Sequence, residues 1–418
     1  MPSIRNPEVL VVGAGPVGLL SALALTERGV RVEVLDKEPC TAARSYALAL
    51  HPRTLEILDE AGLASTLIAK GWRVETLGVY DDVGLRAKLD LGLLSSRFPF
   101  VLVVPQSELE STLQERLQAK GVEVKWNHRV SGLHVSNSSA SVTVDKLEDA
   151  TSGYAVIPTE RDVVESSSTE ARFVVGADGH RSVVRKALGI SFDSRGDAEL
   201  YAVVEFDLEE GPGHEMRVIF RDSAKSALWA LGQHRCRWSF QLDSTEALDS
   251  RFKSRLAVRF REETLPHIAG DFLRQIVGTR APWYRPEMVG VDWCTIVQFE
   301  RRLARKFGRE NVWLAGDAAH LTGPIGVQSM NLGLLEAYEL ATRMARILRE
   351  DAPASLLAEY GRERLLDWHM LLSGDEGVSA TDDADAWVAK HRGRFLDCLP
   401  ASGEELTKLL QQVGLRPF

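Results

Sequence analysis

Two separate stretches of this chain carry residue types and spacings suited to holding a phosphorylated ligand. The first is "VVGAGPVG" at residues 11–18. Gly13, Gly15 and Gly18 fit the pattern GxGxxG. An apolar strand precedes them, a helical run follows, and Asp36 closes the next strand, "VRVEVLD" (30–36). In that context the pattern is a dinucleotide fingerprint. Gly13 permits a tight turn, Gly15 lets the backbone approach a pyrophosphate, and Gly18 lets helix and strand pack closely. The unpaired N–H groups and positive dipole end of the helix favour phosphate. Asp36 would accept hydrogen bonds from an adenosine ribose, and Pro16 and Lys37 complete this cofactor-binding set.

The second stretch is "LAGDAAHLTGPIGVQSMN" at 314–331. The first unit alone suits NAD(P) or FAD. A flavin needs a further grip, because its ribityl chain and ring reach beyond the first unit. Asp317, at a strand end, can bind ribityl hydroxyls. "GPIGVQ" turns into a helix whose N–H groups point back at the ligand. Reduced flavin is anionic near nitrogen 1 and oxygen 2, and a helix N-terminus there stabilises it by roughly 0.3–2 kcal/mol. The pair of segments therefore predicts one FAD held at both ends.

The elements between them must bring these segments together. A strand–loop–helix–strand unit opens the chain and demands a parallel sheet with a right-handed crossover; Gly29 ends its helix. "SELESTLQERLQAKG" (107–121) reads as an amphipathic helix with a serine cap and Glu110 closing a capping box. Residues 136–171 read as a hairpin with a long connection, and "FVVGADG" (173–179) as a buried strand. In "YAVVEFDL" and "RWSFQL" apolar residues alternate with others: Ala202, Val204, Phe206 and Leu208 in the first, Trp238, Phe240 and Leu242 in the second. That alternation predicts antiparallel strands with one wet face. "GPGHE" (211–215) reads as a hairpin turn. "NVWLAGD" (311–317) is again a buried strand. Met330, Leu334, Ala337, Ala341, Ala345 and Leu348 mark a long helix that packs on the core, and the last ~70 residues read as helical and polar.

The expected fold class is α/β: a Rossmann-like FAD-binding domain, an inserted and mostly antiparallel β-sheet substrate domain, and a C-terminal helical segment. The expected divisions are 1–75, 106–190 and 286–350 for the FAD-binding domain, 76–105 for strands shared with the substrate domain, 191–285 for that domain, and 351–418 for the helices.

Composition agrees with a globular protein of 418 residues, 44% hydrophobic, with net charge −9 and pI about 5.7. No global field favours nucleic acid or an anionic membrane. The four cysteines are scattered without a CxxC pair, which argues against a metal site and fits a reducing, cytoplasmic setting. The apolar start is a strand and helix rather than a secretory signal, and no run reaches the ~18 apolar residues of a membrane span.

These motifs, in this order, resemble the class A FAD-dependent aromatic hydroxylases, the family typified by para-hydroxybenzoate hydroxylase. The resemblance rests on "GAGPVG", on "GADGHRSVVR" (176–185) and on "GDAAH…P…G…MN" (316–331). "RSYALALHPRTLEIL" (44–58) and "VPQSELESTL" (104–113) add smaller matches. It implies that Arg44 and Gln106 bind the pyrophosphate and ribityl region, that the backbone near Val130 flanks the adenine, and that Asp317, Pro324, Gly326, Met330 and Asn331 line the flavin. Asp178 belongs to a motif the family uses for both FAD and the pyridine nucleotide. Ser182 can cap the helix "VVRKAL", and Arg181 and Arg185 can approach phosphate. Two positions depart from the pattern: the usual double proline is Gly323-Pro324, and the usual Gly-Gly-Gln-Gly is Gly326-Val327-Gln328-Ser329.

The chemistry implied is that of an NAD(P)H-dependent monooxygenase. NADPH or NADH docks transiently and reduces FAD, and O2 then forms a flavin carbon-4a hydroperoxide that hydroxylates an aromatic or polyketide-like small molecule. No nucleic acid and no integral membrane segment is expected, and the C-terminal helices serve either as a cover for the flavin domain or as a homodimer contact. His51, Arg221 and Pro324 are the catalytic candidates; Arg53, Tyr201, Trp229 and Trp238 could face substrate, whereas His320 reads as structural. The basic runs 301–309 and 251–261 read mainly as solvated faces. A reductase on the same scaffold and a non-catalytic, flavin-loaded ligand-binding protein are the alternatives.

Overall fold

The computed structural model describes residues 6–41, 49–136, 138–149, 161–242, 266–285 and 287–417. Arg44 and the basic run 251–261 lie outside them, as does the connection 150–160.

The apolar run Val9–Val12 forms the central strand of a six-stranded sheet, with all four side chains buried. Phe173–Gly176 and Val32–Leu35 flank it in parallel. Val312–Leu314 lies beyond the first and Val124–Lys125 beyond the second, both parallel, and Gly308–Arg309 adds an antiparallel edge. The fingerprint helix runs Pro16–Glu27, with Pro16 in its first turn, and Gly29 ends it at φ +73°. Strands His128–Val135, Ala140–Asp149 and Arg161–Ala171 form a separate antiparallel sheet. The hairpin expected over 136–171 is thus part of a three-stranded meander.

The second large sheet has seven strands in the order 288–299, 199–208, 235–242, 224–230, 215–221, 76–80 and 85–90. All neighbours are antiparallel except 215–221 with 76–80. Of the strands expected over 76–105, residues 76–90 join this sheet, but Val101–Val103 pairs with 49–50 and 72–74 in a separate three-stranded sheet; Met288–Phe299 extends the large sheet past residue 285. "GPGHE" is not a hairpin turn. It connects strands 199–208 and 215–221, which are separated by two others. It crosses the end of the intervening hairpin so closely that a Cβ on Gly211 would sit 2.2 Å from the Gln233 carbonyl.

The alternation in these strands is real, but neither face is wet. Ala202, Val204, Phe206, Trp238 and Phe240 pack with Leu273, Ile276 and Val277 of the helix Pro266–Arg280. Tyr201, Val203, Phe220 and Trp229 face the other way and join the main core. Arg237 and Ser239, expected on a wet face, are buried; Arg237 is neutralised by Glu205, its Nε 2.9 Å from Oε1.

The C-terminal residues are not a polar cover. Helices Ser355–Leu371, Arg392–Cys398 and Gly403–Gln411 bury Trp368, Phe395, Leu396, Leu406, Leu409 and Leu410. A short antiparallel pair, 378–380 with 415–417, holds the segment together. Phe395 meets Phe220 edge-on, with ring centroids 5.8 Å apart, and Arg394 lies over the same ring and donates to the carbonyls of Asp222 and Ala224. The segment is therefore wedged against the large sheet. Among the described residues no helix is long and apolar enough to cross a membrane.

The helix Gly403–Gln411 docks by placing Glu405 at the start of the helix Pro52–Glu60, where it accepts the Arg53 backbone N–H. Burial, with Glu56 nearby, pushes the Glu405 carboxyl up to about 7. A carboxyl raised from its unfolded value favours the folded state at low pH, and that contribution is lost as pH rises through 7. Glu405→Gln is expected to match the parent protein in thermal melts at pH 4 and to exceed it by about 3 kcal/mol at pH 8.

Candidate functional site

The fingerprint loop is shaped by contact. Gly13 has φ +106°, and a Cβ there would lie 2.2 Å from the Ala177 carbonyl oxygen; one on Gly18 would lie 1.9 Å from that of Gly13. A Cβ on Gly15, the helix cap, would meet nothing within 4 Å. The loop thus leaves open space in front of the helix N-terminus, as a pyrophosphate requires. Asp36 accepts the Ala14 N–H at 2.6 Å and the Glu38 N–H at 2.8 Å, which orients the carboxylate beside the loop. Its backbone carbonyl accepts from His128, so Val130 lies two residues along the adjoining strand, buried. Lys37 faces solvent beside Glu38.

The second segment converges on the first through small residues. Gly316, at φ +64°, precedes Asp317 in a single 3-10 turn after the strand Val312–Leu314. A Cβ on Gly316 or on Gly333 of the long helix Gln328–Arg349 would come within 3 Å of the Val17 side chain. Fingerprint helix, Asp317 turn and long helix therefore pack backbone to backbone. Asp317 is exposed to a cleft within the protein, and burial by its surroundings raises its carboxyl above the usual range.

The loop between Asp317 and the long helix is held from several sides. His51 is buried and donates from Nε2 to the Gly326 carbonyl at 2.9 Å, while its burial lowers the ring to about 4. At neutral pH the ring is thus uncharged and acts as a strut. Asn331 has no exposure and uses its whole hydrogen-bonding capacity. Oδ1 accepts from His51 N–H and the Thr54 hydroxyl, and Nδ2 donates to the carbonyls of Ala49 and Val327. It clamps the loop rather than lining the flavin. Gln328 donates to the carbonyls of Leu396 and Leu399, and Gly326 N–H donates to that of Asp397. A Cβ on Gly326 would lie 2.8 Å from the Asp397 carbonyl oxygen. Val327 takes φ +51°, a region costly for a β-branched side chain. Pro324 and Met330 are half-buried in the same turn.

Several expected roles change. Arg185 does not reach for phosphate: it is buried, bonded to the carbonyls of Ala318 and His180, and stacked on Phe192 at 3.9 Å. Ser182 caps its helix as expected, accepting the Arg185 N–H at 2.9 Å. Asp178 accepts the N–H groups of Val183 and Val184 and is raised by burial, so it anchors the same helix. The helix at 106 has Pro105, not a serine, at its cap, and Gln106 donates to Glu110. Arg301 is no solvated cation; it pairs with Glu199 and Asp397. Lys225 joins the same pair of carboxylates. Trp238 faces the second core, away from the cleft, whereas Tyr201 and Trp229 face the main core. Arg221 is half-exposed at a strand end beside Asp222, and Arg53 pairs with Glu56 at the surface.

Sequence reasoning missed one central residue. Glu336 has no exposure, and it accepts from the Gly316 N–H, His320 Nε2 and Trp368 Nε1, each at 2.8 Å. The signal available was a lone acid among the apolar positions of the long helix.

A model of the family described as FAD binding domain matches residues 6–371. The chain belongs to the FAD-binding domain family. Its cofactor is FAD, and the open glycine loop, Asp36 and the cleft at Asp317 fit that group. This member is 31% identical over 397 residues to 6-methylpretetramide 4-monooxygenase of Streptomyces rimosus, covering 91% of this chain and 63% of the relative. It is 28% identical over 381 residues to pentachlorophenol 4-monooxygenase of Sphingobium chlorophenolicum, covering 88% and 64%. The chain thus spans less than two thirds of these two relatives. The crystal structure of p-nitrophenol 4-monooxygenase from Pseudomonas putida DLL-E4 superposes with a TM-score of 0.68 at 24% identity, covering 88% of this chain and 85% of that one. The fold expected from the motifs, that of the para-hydroxybenzoate hydroxylase type, is borne out.

Replacing Asn331 leaves buried donors and acceptors without partners in three separate elements. Asn331→Ala is expected to lose about 3 kcal/mol in urea denaturation.

Proposed function

We propose that this protein is an NAD(P)H-dependent FAD monooxygenase that hydroxylates an aromatic or polyketide-like small molecule. One observation carries the reading. The loop after Asp317 reaches the seven-stranded sheet: Glu199 Oε2, which accepts the Tyr201 hydroxyl at 3.1 Å, lies 3.7 Å from where a Cβ on Gly323 would stand. The loop that would hold the flavin ring is thus next to the strand that carries Tyr201, which supports placing substrate on that side. The matched relatives named for 6-methylpretetramide and pentachlorophenol give the substrate class further support.

FAD, when bound, supplies the electron storage and oxygen chemistry that side chains lack. The residues do the rest. Gly13, Gly15 and Gly18 make room for the pyrophosphate, and Asp36 takes the ribose. Asp317 takes ribityl hydroxyls, and the N-terminus of the helix from Gln328 offers N–H groups to negative charge on the ring. His51 and Asn331 hold the Pro324–Val327 loop in place, so they are positioning residues. The strands 199–208, 215–221, 224–230 and 235–242, with 76–90 and 288–299, form the substrate side, and the segment 392–399 packs against it.

Two measurements test this. Asp317→Ala is expected to weaken FAD binding by 10- to 100-fold in fluorescence titrations while the melting curve of the ligand-free protein stays close to the parent's. The FAD-loaded protein, offered NADPH or NADH and a panel of phenols and polyketides under 18O2, is expected to oxidise the nucleotide faster with one of them and to put one labelled oxygen into it. Nucleotide oxidation with a substrate but no label in any product would instead identify a reductase.

A further inference from the structure

Behind Asp317 runs a line of polar groups that cofactor binding does not by itself require. Ser329 Oγ lies 3.2 Å from Asp317 Oδ1 and 3.4 Å from His320 Nδ1. His320 Nε2 lies 2.8 Å from Glu336 Oε2. His320 and Glu336 have no exposure, and the imidazole stacks on Trp368 at 3.8 Å. Only the Asp317 end of the line meets the cleft.

Counting protons shows what the line can do. Both Glu336 oxygens already accept N–H donors, from Gly316 and from Trp368, so the 2.8 Å contact with His320 is made by a hydrogen on Nε2. Ser329 has one hydroxyl hydrogen. When Nδ1 is a lone pair, that hydrogen goes either to His320 or to Asp317, not to both. When Nδ1 is protonated, it donates to Ser329 Oγ, and the hydroxyl is free to donate to Asp317. The second proton on His320 therefore decides whether Asp317 holds the Ser329 bond.

We propose that Ser329 is a positioning residue that couples the charge of the buried His320–Glu336 pair to Asp317, and through it to the redox state of the flavin. The proposal rests on the FAD site and not on the choice of substrate. In a reductive titration the electrons come from dithionite, and the compensating proton comes from solvent and settles on His320 Nδ1. Other charged groups surround the line: His180 near Asp317, and Arg364, Asp367 and Tyr360 of the helix Ser355–Leu371 around Glu336. All of them persist when Ser329 alone is changed.

The test has two arms. In ligand-free protein, the His320 ring nitrogens are followed by 15N NMR from pH 5 to 9, with the signal assigned through His320→Gln. Ser329→Ala removes the acceptor of the Nδ1 proton, so the ring is expected to take that proton at a pH lower by half a unit or more; Ser329→Thr restores the parent curve. In FAD-loaded protein, the break in midpoint potential against pH is expected to move by the same amount and in the same direction. Ser329→Gly carries the same expectation and replaces Ser329→Ala if that variant does not fold. Superimposable His320 titrations in parent and variant, a His320 that keeps one protonation state from pH 5 to 9, or identical potential profiles would each overturn the proposal. Failure to bind FAD would sink the cofactor site but leave the first arm standing.

Discussion

A single buried carboxylate sets the geometry on which the cofactor site depends. Glu336 accepts from the backbone at Gly316, from His320 and from the Trp368 indole. A carboxyl group without exposure is costly unless its oxygens are met by good donors, and here three elements supply them. The long helix, the turn carrying Asp317 and the helix Ser355–Leu371 are thereby fixed to one point. Loss of any one donor would leave a carboxyl oxygen in the core with a missing partner.

Around that point the packing is made by absence of side chains. Gly18, Gly316 and Gly333 let the fingerprint helix, the Asp317 turn and the long helix meet at backbone distance, with Val17 filling the space left. Both grips on one dinucleotide are thus cut from a single rigid block. The flavin loop is then suspended from this block by His51 and Asn331 on one side and by Gln328 on the other.

Much of this was legible in the residues. The glycine spacing with Asp36, the buried strands at 9–12, 173–176 and 312–314, the Ser182 cap and the long helix all follow from local rules, because each depends on neighbours within a few positions. The two-faced sheet was half legible. Alternation gave the strands, but Arg237 and Ser239 looked wet because the main core that covers their face comes from elsewhere in the chain. The same limit applies to Glu336, Asn331 and Arg185. Each carries a polar side chain with no local hint of burial, and each takes at least one partner from far along the chain, 16, 282 and 133 positions away respectively. The connection at 211–215 misled for a related reason: glycine marks a turn but not which strand comes next to which.

The wedge has a bearing on how the molecule is made. Gly326 and Gln328 donate hydrogen bonds to backbone carbonyls at 396–399, and Lys225 and Arg301 find their carboxylate at Asp397. During synthesis the chain emerges in order, so the flavin loop and the sheet strands leave the ribosome well before the residues that fix them. Contacts of such long sequence separation close late. The ring end of the cofactor pocket therefore stays unfinished until the helix 392–398 has emerged and docked.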